Sequence, residues 1–128
     1  METFDIVILG AGPAGVSAAL RGADQGARVC IIEQKNIGGS CLRRGLYPLK
    51  CALGLLKNNE LSSTLNDVID VGLLSRSVTE SMESVSEKWK ERLTEFEVTM
   101  VMGGGTPFSS EIVQVETKDR TFDIGAKK

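Results

Sequence analysis

Glycines at positions 10, 12 and 15 separate two stretches that favour different backbone structures. Before them, Phe4-Asp5-Ile6-Val7-Ile8-Leu9 is a β-rich apolar run, which predicts a strand buried on both faces of a parallel sheet. After them, residues from Ala14 to about Gln25 are small or helix-compatible, with Ala18, Ala19, Leu20 and Ala23 available to face a sheet and Gly26 as a stop. Arg28-Val29-Cys30-Ile31-Ile32 reads as a second buried strand, and Glu33 stands at its end. A bare GxGxxG is a weak signal. Strand, glycine turn, helix, second strand and terminal acid together make a βαβ dinucleotide-binding unit.

Each part of Gly10-Ala11-Gly12-Pro13-Ala14-Gly15 has a physical role in such a unit. Gly10 allows the tight exit from the strand, Gly12 leaves room for a pyrophosphate, and Gly15 lets the helix approach the strand. The unpaired N–H groups and positive dipole end of the helix, which begins at about Ala14, receive phosphate oxygens. Glu33 is placed to accept hydrogen bonds from both ribose hydroxyls, and its charge would repel a 2′-phosphate.

Composition removes several other functions. The 128 residues carry 15 basic and 17 acidic side chains, a net charge of −2, which argues against nucleic acid or an anionic membrane as the main partner. The absence of histidine excludes a self-contained Ser-His-Asp triad and a His-ligated metal. Cys30, Cys41 and Cys51 are too few and too irregular for a secreted disulfide framework or a zinc ribbon. Glycines and Pro13 interrupt the uncharged run from Ile6 to Leu20, and no basic residue precedes it, so neither a signal peptide nor a membrane helix is expected. A soluble protein of a reducing, cytoplasmic compartment is the expectation.

The segment after the acid, Gln34-Lys35-Asn36-Ile37-Gly38-Gly39-Ser40-Cys41-Leu42-Arg43-Arg44-Gly45-Leu46-Tyr47-Pro48-Leu49-Lys50, resembles the start of the pyridine nucleotide-disulfide oxidoreductases, flavoproteins related to dihydrolipoamide dehydrogenase. The matches are Gly38, Gly39, Ser40, Cys41, Gly45, Pro48 and Lys50. The resemblance is specific over residues 4 to 53 and looser beyond. It implies a Rossmann-like α/β FAD-binding fold, a parallel sheet with helices plus a β-hairpin or meander, incomplete at the C-terminus. It also implies FAD as cofactor, bound by Gly10, Gly12, Pro13, Ala14, Gly15, Glu33, Gln34, Gly38, Gly39, Ser40, Cys41 and Lys50. In the family that lysine lies near the flavin N5 edge; a solvated surface lysine is the alternative.

Where the family carries its second redox cysteine, this chain has Leu46. Without two sulfurs in reach there is no dithiol half-reaction, while flavin hydride chemistry stays possible. Cys51 is expected inside the next helix and poorly placed to pair with Cys41. Cys30 is expected to be an inert core residue. Two roles stand open for Cys41: a catalytic thiolate favoured by Arg43 and Arg44, or a small packing residue beneath the flavin. Transhydrogenase-like members of the family also lack a complete pair.

The second half reads as scaffold. Cys51 to Lys57 continues a short helix, with Ala52, Leu53, Leu55 and Leu56 apolar, and residues 58 to 75 read as a loop with at most a short helical turn. Ser77-Val78-Thr79-Glu80 predicts a capping box at a helix start. Val78, Met82, Val85, Trp89, Leu93 and Phe96 form its apolar stripe, opposite Glu83, Glu87, Lys88, Lys90, Glu91 and Arg92. Val98 to Met102 predicts a strand and Gly103 to Phe108 a turn, where the resemblance puts Gly104, Gly105, Thr106 and Phe108 beside the adenine. Ile112 to Glu116 and Arg120 to Ile124 predict a hairpin around Lys118-Asp119.

The expected organisation is the N-terminal part of an FAD-binding domain over 1–128, with the fingerprint and the Gly-Gly-Ser-Cys segment in 1–50, helices in 51–97 and strands in 98–128. A longer homodimeric parent would meet its nicotinamide nucleotide through domains beyond this chain. A nucleotide-binding module without turnover of its own is the alternative.

Overall fold

The computed structural model describes residues 1–57 and 70–127. It contains strands β1 (Glu2–Phe4), β2 (Ile6–Leu9), β3 (Val29–Glu33), β4 (Thr99–Met102), β5 (Gly104–Pro107), β6 (Ile112–Glu116) and β7 (Thr121–Ala126). Its helices are α1 (Pro13–Asp24), α2 (Gly39–Arg43), α3 (Leu46–Lys57) and α4 (Val71–Glu95). Two compact units result, one of residues 1–39 with 89–128 and the other of residues 40–88.

In the first unit, β2, β3 and β4 form a parallel sheet with β3 in the middle, and β1, β7, β6 and β5 form a second sheet in that order. The β5-β6-β7 meander is antiparallel, while β1 joins β7 in parallel. All five residues of β3 are buried. Strand alternation sends Val29 and Ile31 into a core with Val16 and Ala19 of α1 and Leu93 of α4. Cys30 and Ile32 enter a second core with Phe4, Val113, Val115 and Ile124. Full burial of an isoleucine contributes about 1.5–3 kcal/mol, so β3 anchors both layers. Burial also pushes the Cys30 thiol up to about 11, helped by the charge of Glu2, which fits an inert core cysteine.

The apolar run at the N-terminus is two strands in two sheets, not one strand. The break falls at Asp5, whose carboxylate accepts the Arg28 N–H at 2.8 Å and the Lys127 ammonium at 2.8 Å. A polar residue that satisfies groups on two neighbours lets the chain pass between sheets without orphaning backbone donors. Glycines shape the entry to α1. A Cβ on Gly15 would lie 1.9 Å from the Gly10 carbonyl oxygen, so no other residue lets α1 pack this closely on β2. Val16 and Ala19 face the core, but Ala18 is exposed, against the sequence expectation. Gly26, at φ +80°, ends the helix, and its N–H bonds the Ala23 carbonyl at 2.8 Å.

α4 begins seven residues before the predicted start. Its N-cap is Asp70, whose Oδ1 accepts the Leu73 N–H at 2.9 Å, and Ser77 lies inside the helix. The helical start therefore overturns the loop reading of residues 71–75, while residues 58–69 lie outside the described residues. Along the apolar stripe only Leu93 is buried; Val78, Met82, Val85, Trp89 and Phe96 are half-buried. Within the second unit, α3 has no buried residue, and Leu46, Leu49 and Leu53 are exposed. The predicted turn at Gly103–Phe108 is a further correction, since residues 104–107 form β5, paired with β6.

Asp5 yields a pH prediction. The hydrogen bond from Lys127, then that from the Arg28 backbone, hold its carboxyl below the ordinary 3.8. A depressed folded-state value stabilises the protein above that ordinary value and loses the stabilisation as pH falls through the lower one. Urea midpoints measured from about pH 5 down to about pH 3 should fall, and Asp5→Asn should flatten that dependence.

Candidate nucleotide-binding site

The site is built on the turn from β2 into α1. Gly10 has φ +100°, a left-handed conformation that glycine adopts without strain, and its N–H bonds the Ile32 carbonyl at 2.7 Å. Gly12 is the N-cap of α1, with no side-chain capping bond and no acidic residue in the first turn. The Val16 N–H bonds the Gly12 carbonyl at 2.9 Å, which opens the helix. As in any first turn, the N–H groups of Ala14 and Gly15 have no intrahelical partner. A Cβ placed on Gly12 would meet no atom within 4 Å. The helix end is thus open, uncharged and rich in donors, which fits a pyrophosphate group.

Alternation along β3 turns the Glu33 side chain to the α1 face, and the residue is 9% exposed. Its Oε2 accepts the Ala11 N–H at 2.7 Å and its Oε1 the Lys35 N–H at 2.8 Å. The Gly103 N–H reaches the Glu33 carbonyl at 2.9 Å. One residue therefore joins the glycine loop, the turn after β3 and the turn into β5. Each carboxylate oxygen keeps a second acceptor position, so a ribose hydroxyl remains within its capacity.

The second glycine pair packs on the first loop. The Gly38 N–H donates to the Ala11 carbonyl at 2.7 Å, and a Cβ on Gly39 would lie 3.3 Å from the Gly12 Cα. Both residues have positive φ, +105° and +56°. Gly38 and Gly39 therefore hold the loop from outside.

A cavity of about 460 Å³ opens beside Glu33, lined among others by Gly10, Gln34, Gly105, Thr106 and Glu116. This brings together six of the residues singled out by sequence: Gly10, Glu33, Gln34, Gly104, Gly105 and Thr106. Phe108 does not line it and is 75% exposed. Pro13 and Ala14 are exposed at the start of α1. Ser40, Cys41 and Lys50 belong to the second unit, all three exposed, and Cys41, Cys51 and Cys30 are free thiols. Sequence reasoning missed Ala11, whose backbone engages both Glu33 and Gly38. It also missed Glu116, whose only signal was its place at the end of an alternating run. Among the described residues, no group of three or more His, Cys, Asp or Glu is gathered to hold a metal ion, and no helix is long and apolar enough to cross a membrane.

A Rossmann-like α/β fold is thereby defined, and comparison with known proteins supplies the family. The sequence pattern described as "Pyridine nucleotide-disulphide oxidoreductase" matches residues 4–127, so the chain belongs to that family. It is 33% identical to the dihydrolipoyl dehydrogenase of Bacillus subtilis over 66% of its length, and 28% identical to that of Chlamydia pneumoniae over 94%. It spans 17% and 28% of those two relatives. Among solved structures, the HOCl-induced flavoprotein disulfide reductase RclA from Escherichia coli, a Cu(II) complex, shares the fold with a TM-score of 0.83 at 22% identity. That match covers 98% of this chain and 27% of the other.

The Glu33 contacts predict a stability effect without any ligand. Glu33→Gln replaces one acceptor oxygen by a donor, leaving either Ala11 N–H or Lys35 N–H facing an NH₂ group. The loss should be about 1–3 kcal/mol, read from urea unfolding at neutral pH.

Proposed function

We propose that this chain holds the adenosine diphosphate end of FAD within a flavin-dependent oxidoreductase that exchanges hydride with a nicotinamide nucleotide. The observation that carries the reading is the open, donor-rich start of α1 directly beside the buried Glu33 carboxylate. Membership in a flavoprotein family supports FAD over a nicotinamide nucleotide as the resident cofactor, as does the Gly38-Gly39 pair braced on the loop.

In this reading the chain binds and orients. Gly12 leaves room for the diphosphate, the first-turn N–H groups neutralise its charge, and Glu33 accepts the ribose hydroxyls. Gln34, Gly105 and Thr106 border the base. The bound flavin supplies hydride acceptance and donation. Its ring end falls to Gly38, Gly39, Ser40, Cys41 and Lys50, on the motif they share with the family. Leu46, 55% exposed at the start of α3, stands where the family has its second redox sulfur. We therefore assign hydride transfer through the flavin alone, with Cys41 as a lone thiol. The nicotinamide nucleotide is met by parts of a longer polypeptide, and the 128 residues alone are a binding module without turnover.

Gly12→Val tests the reading, because its Cβ enters open space where the diphosphate would lie. Calorimetric titration should show ADP binding to the wild-type chain and at least about tenfold weaker binding to the variant, at a temperature where melting shows both to be folded. ADP carrying a 2′-phosphate should also bind more weakly than ADP, because Glu33 repels it. Equal ADP affinity of variant and wild type would remove the diphosphate from this loop.

A further inference from the structure

The cavity beside Glu33 borders a second one. The neighbouring cavity has a volume of about 680 Å³ and is lined partly by Lys35, Thr117, Lys118 and Asp119. The two share Gln34, Gly103, Gly104 and Glu116, which form the boundary between them.

The three consecutive glycines at this boundary differ in what they are for. A Cβ on Gly103 would stand 2.6 Å from the Glu116 carbonyl oxygen, and one on Gly105 would stand 2.6 Å from Leu9 Cδ2. Both positions face protein, and close packing requires glycine or a local shift. Gly104 points the other way, as strand alternation dictates. Its added Cβ would meet only Gln34 Nε2, at 3.7 Å, an ordinary contact. Its φ is not positive either. Neither packing nor backbone conformation asks for glycine here. The one consequence of the missing side chain is unfilled space at the boundary that the two cavities share.

We infer that Gly104 is a specificity-determining residue, which lets the site accept adenine nucleotides bearing a bulky group on the base's amino edge. The inference rests on the adenosine reading above. With the diphosphate at Gly12 and the ribose at Glu33, the base lies on the far side of the ribose, toward Gly104. The ring is joined to the ribose through its five-membered half, so the amino-bearing edge leads. That edge reaches the shared boundary first, and any group attached to it extends into the second cavity. Cavities of about 300–1,000 Å³ accommodate whole drug-sized ligands, so a benzyl group fits easily in this one.

The test uses ADP and N6-benzyl-ADP with the wild-type chain, Gly104→Ala and Gly104→Leu, by equilibrium titration alongside thermal melting. Wild type should bind N6-benzyl-ADP within about threefold of ADP. Gly104→Leu should weaken N6-benzyl-ADP at least about tenfold more than it weakens ADP, with Gly104→Ala in between. If the leucine variant fails to melt cooperatively, the alanine variant carries the comparison, since its Cβ contact is ordinary. Binding of ADP but not N6-benzyl-ADP to wild type would overturn this inference and leave the adenosine reading standing. Equal weakening of both ligands in the variants would overturn it in the same way. Failure of ADP itself to bind wild type would overturn the adenosine reading and this inference with it.

Discussion

A buried carboxylate bonded to the backbone of the loop it serves is the interaction on which the rest of this site depends. Glu33 sits at the end of the central parallel strand and accepts the Ala11 N–H at 2.7 Å. A charge-assisted bond of this kind is about twice as strong as a neutral one. It fixes the glycine loop between Gly10 and Gly12 before any ligand arrives. Its second oxygen and its backbone carbonyl secure the turn at Lys35 and the approach of β5 at Gly103. The same residue thus organises the walls of the cavity and keeps acceptor positions to spare. Preorganisation of this sort lowers the ordering cost of binding.

Glu33 can play that part because β3 is immobilised on both faces. Val29 and Ile31 pack toward α1, Cys30 and Ile32 toward the meander sheet, and no residue of the strand is exposed. Gly15 permits the helix to press on the strand end, and Gly105 permits β5 to cross Leu9 and Ile32 at close range. Small residues at these two crossings translate into short distances between the glycine loop, the acid and β5.

The order of the βαβ unit was legible in the sequence, because strand, glycine turn, helix and acid are each signalled by different residue types. However, β2 begins only at Ile6 and none of its residues is buried, against the expected strand from Phe4 buried on both faces. The parallel pairing and the buried β3 follow directly from continuous apolar runs. Less legible was whatever depended on partners distant in the chain. The break at Asp5 requires Arg28 and Lys127, which no local pattern shows. Gly103-Gly104-Gly105 looked like a turn because three glycines are poor strand formers; pairing with Val113 to Glu116 overrides that preference. Ser77 to Glu80 mimicked a helix start, yet the cap is Asp70. At the site, Glu33 was identified by position alone. Its bond to Ala11 was invisible, since a backbone donor leaves no trace in residue identity.

Amide hydrogen exchange at Ala11 in the ligand-free chain measures the central interaction most directly. If Glu33 holds the loop, the Ala11 amide should exchange as slowly as the amides of β3, and Glu33→Gln should accelerate it selectively. Exchange of Ala11 in the wild-type chain at the rate of an open loop would show that the carboxylate does not organise the glycine turn, and would contradict the account.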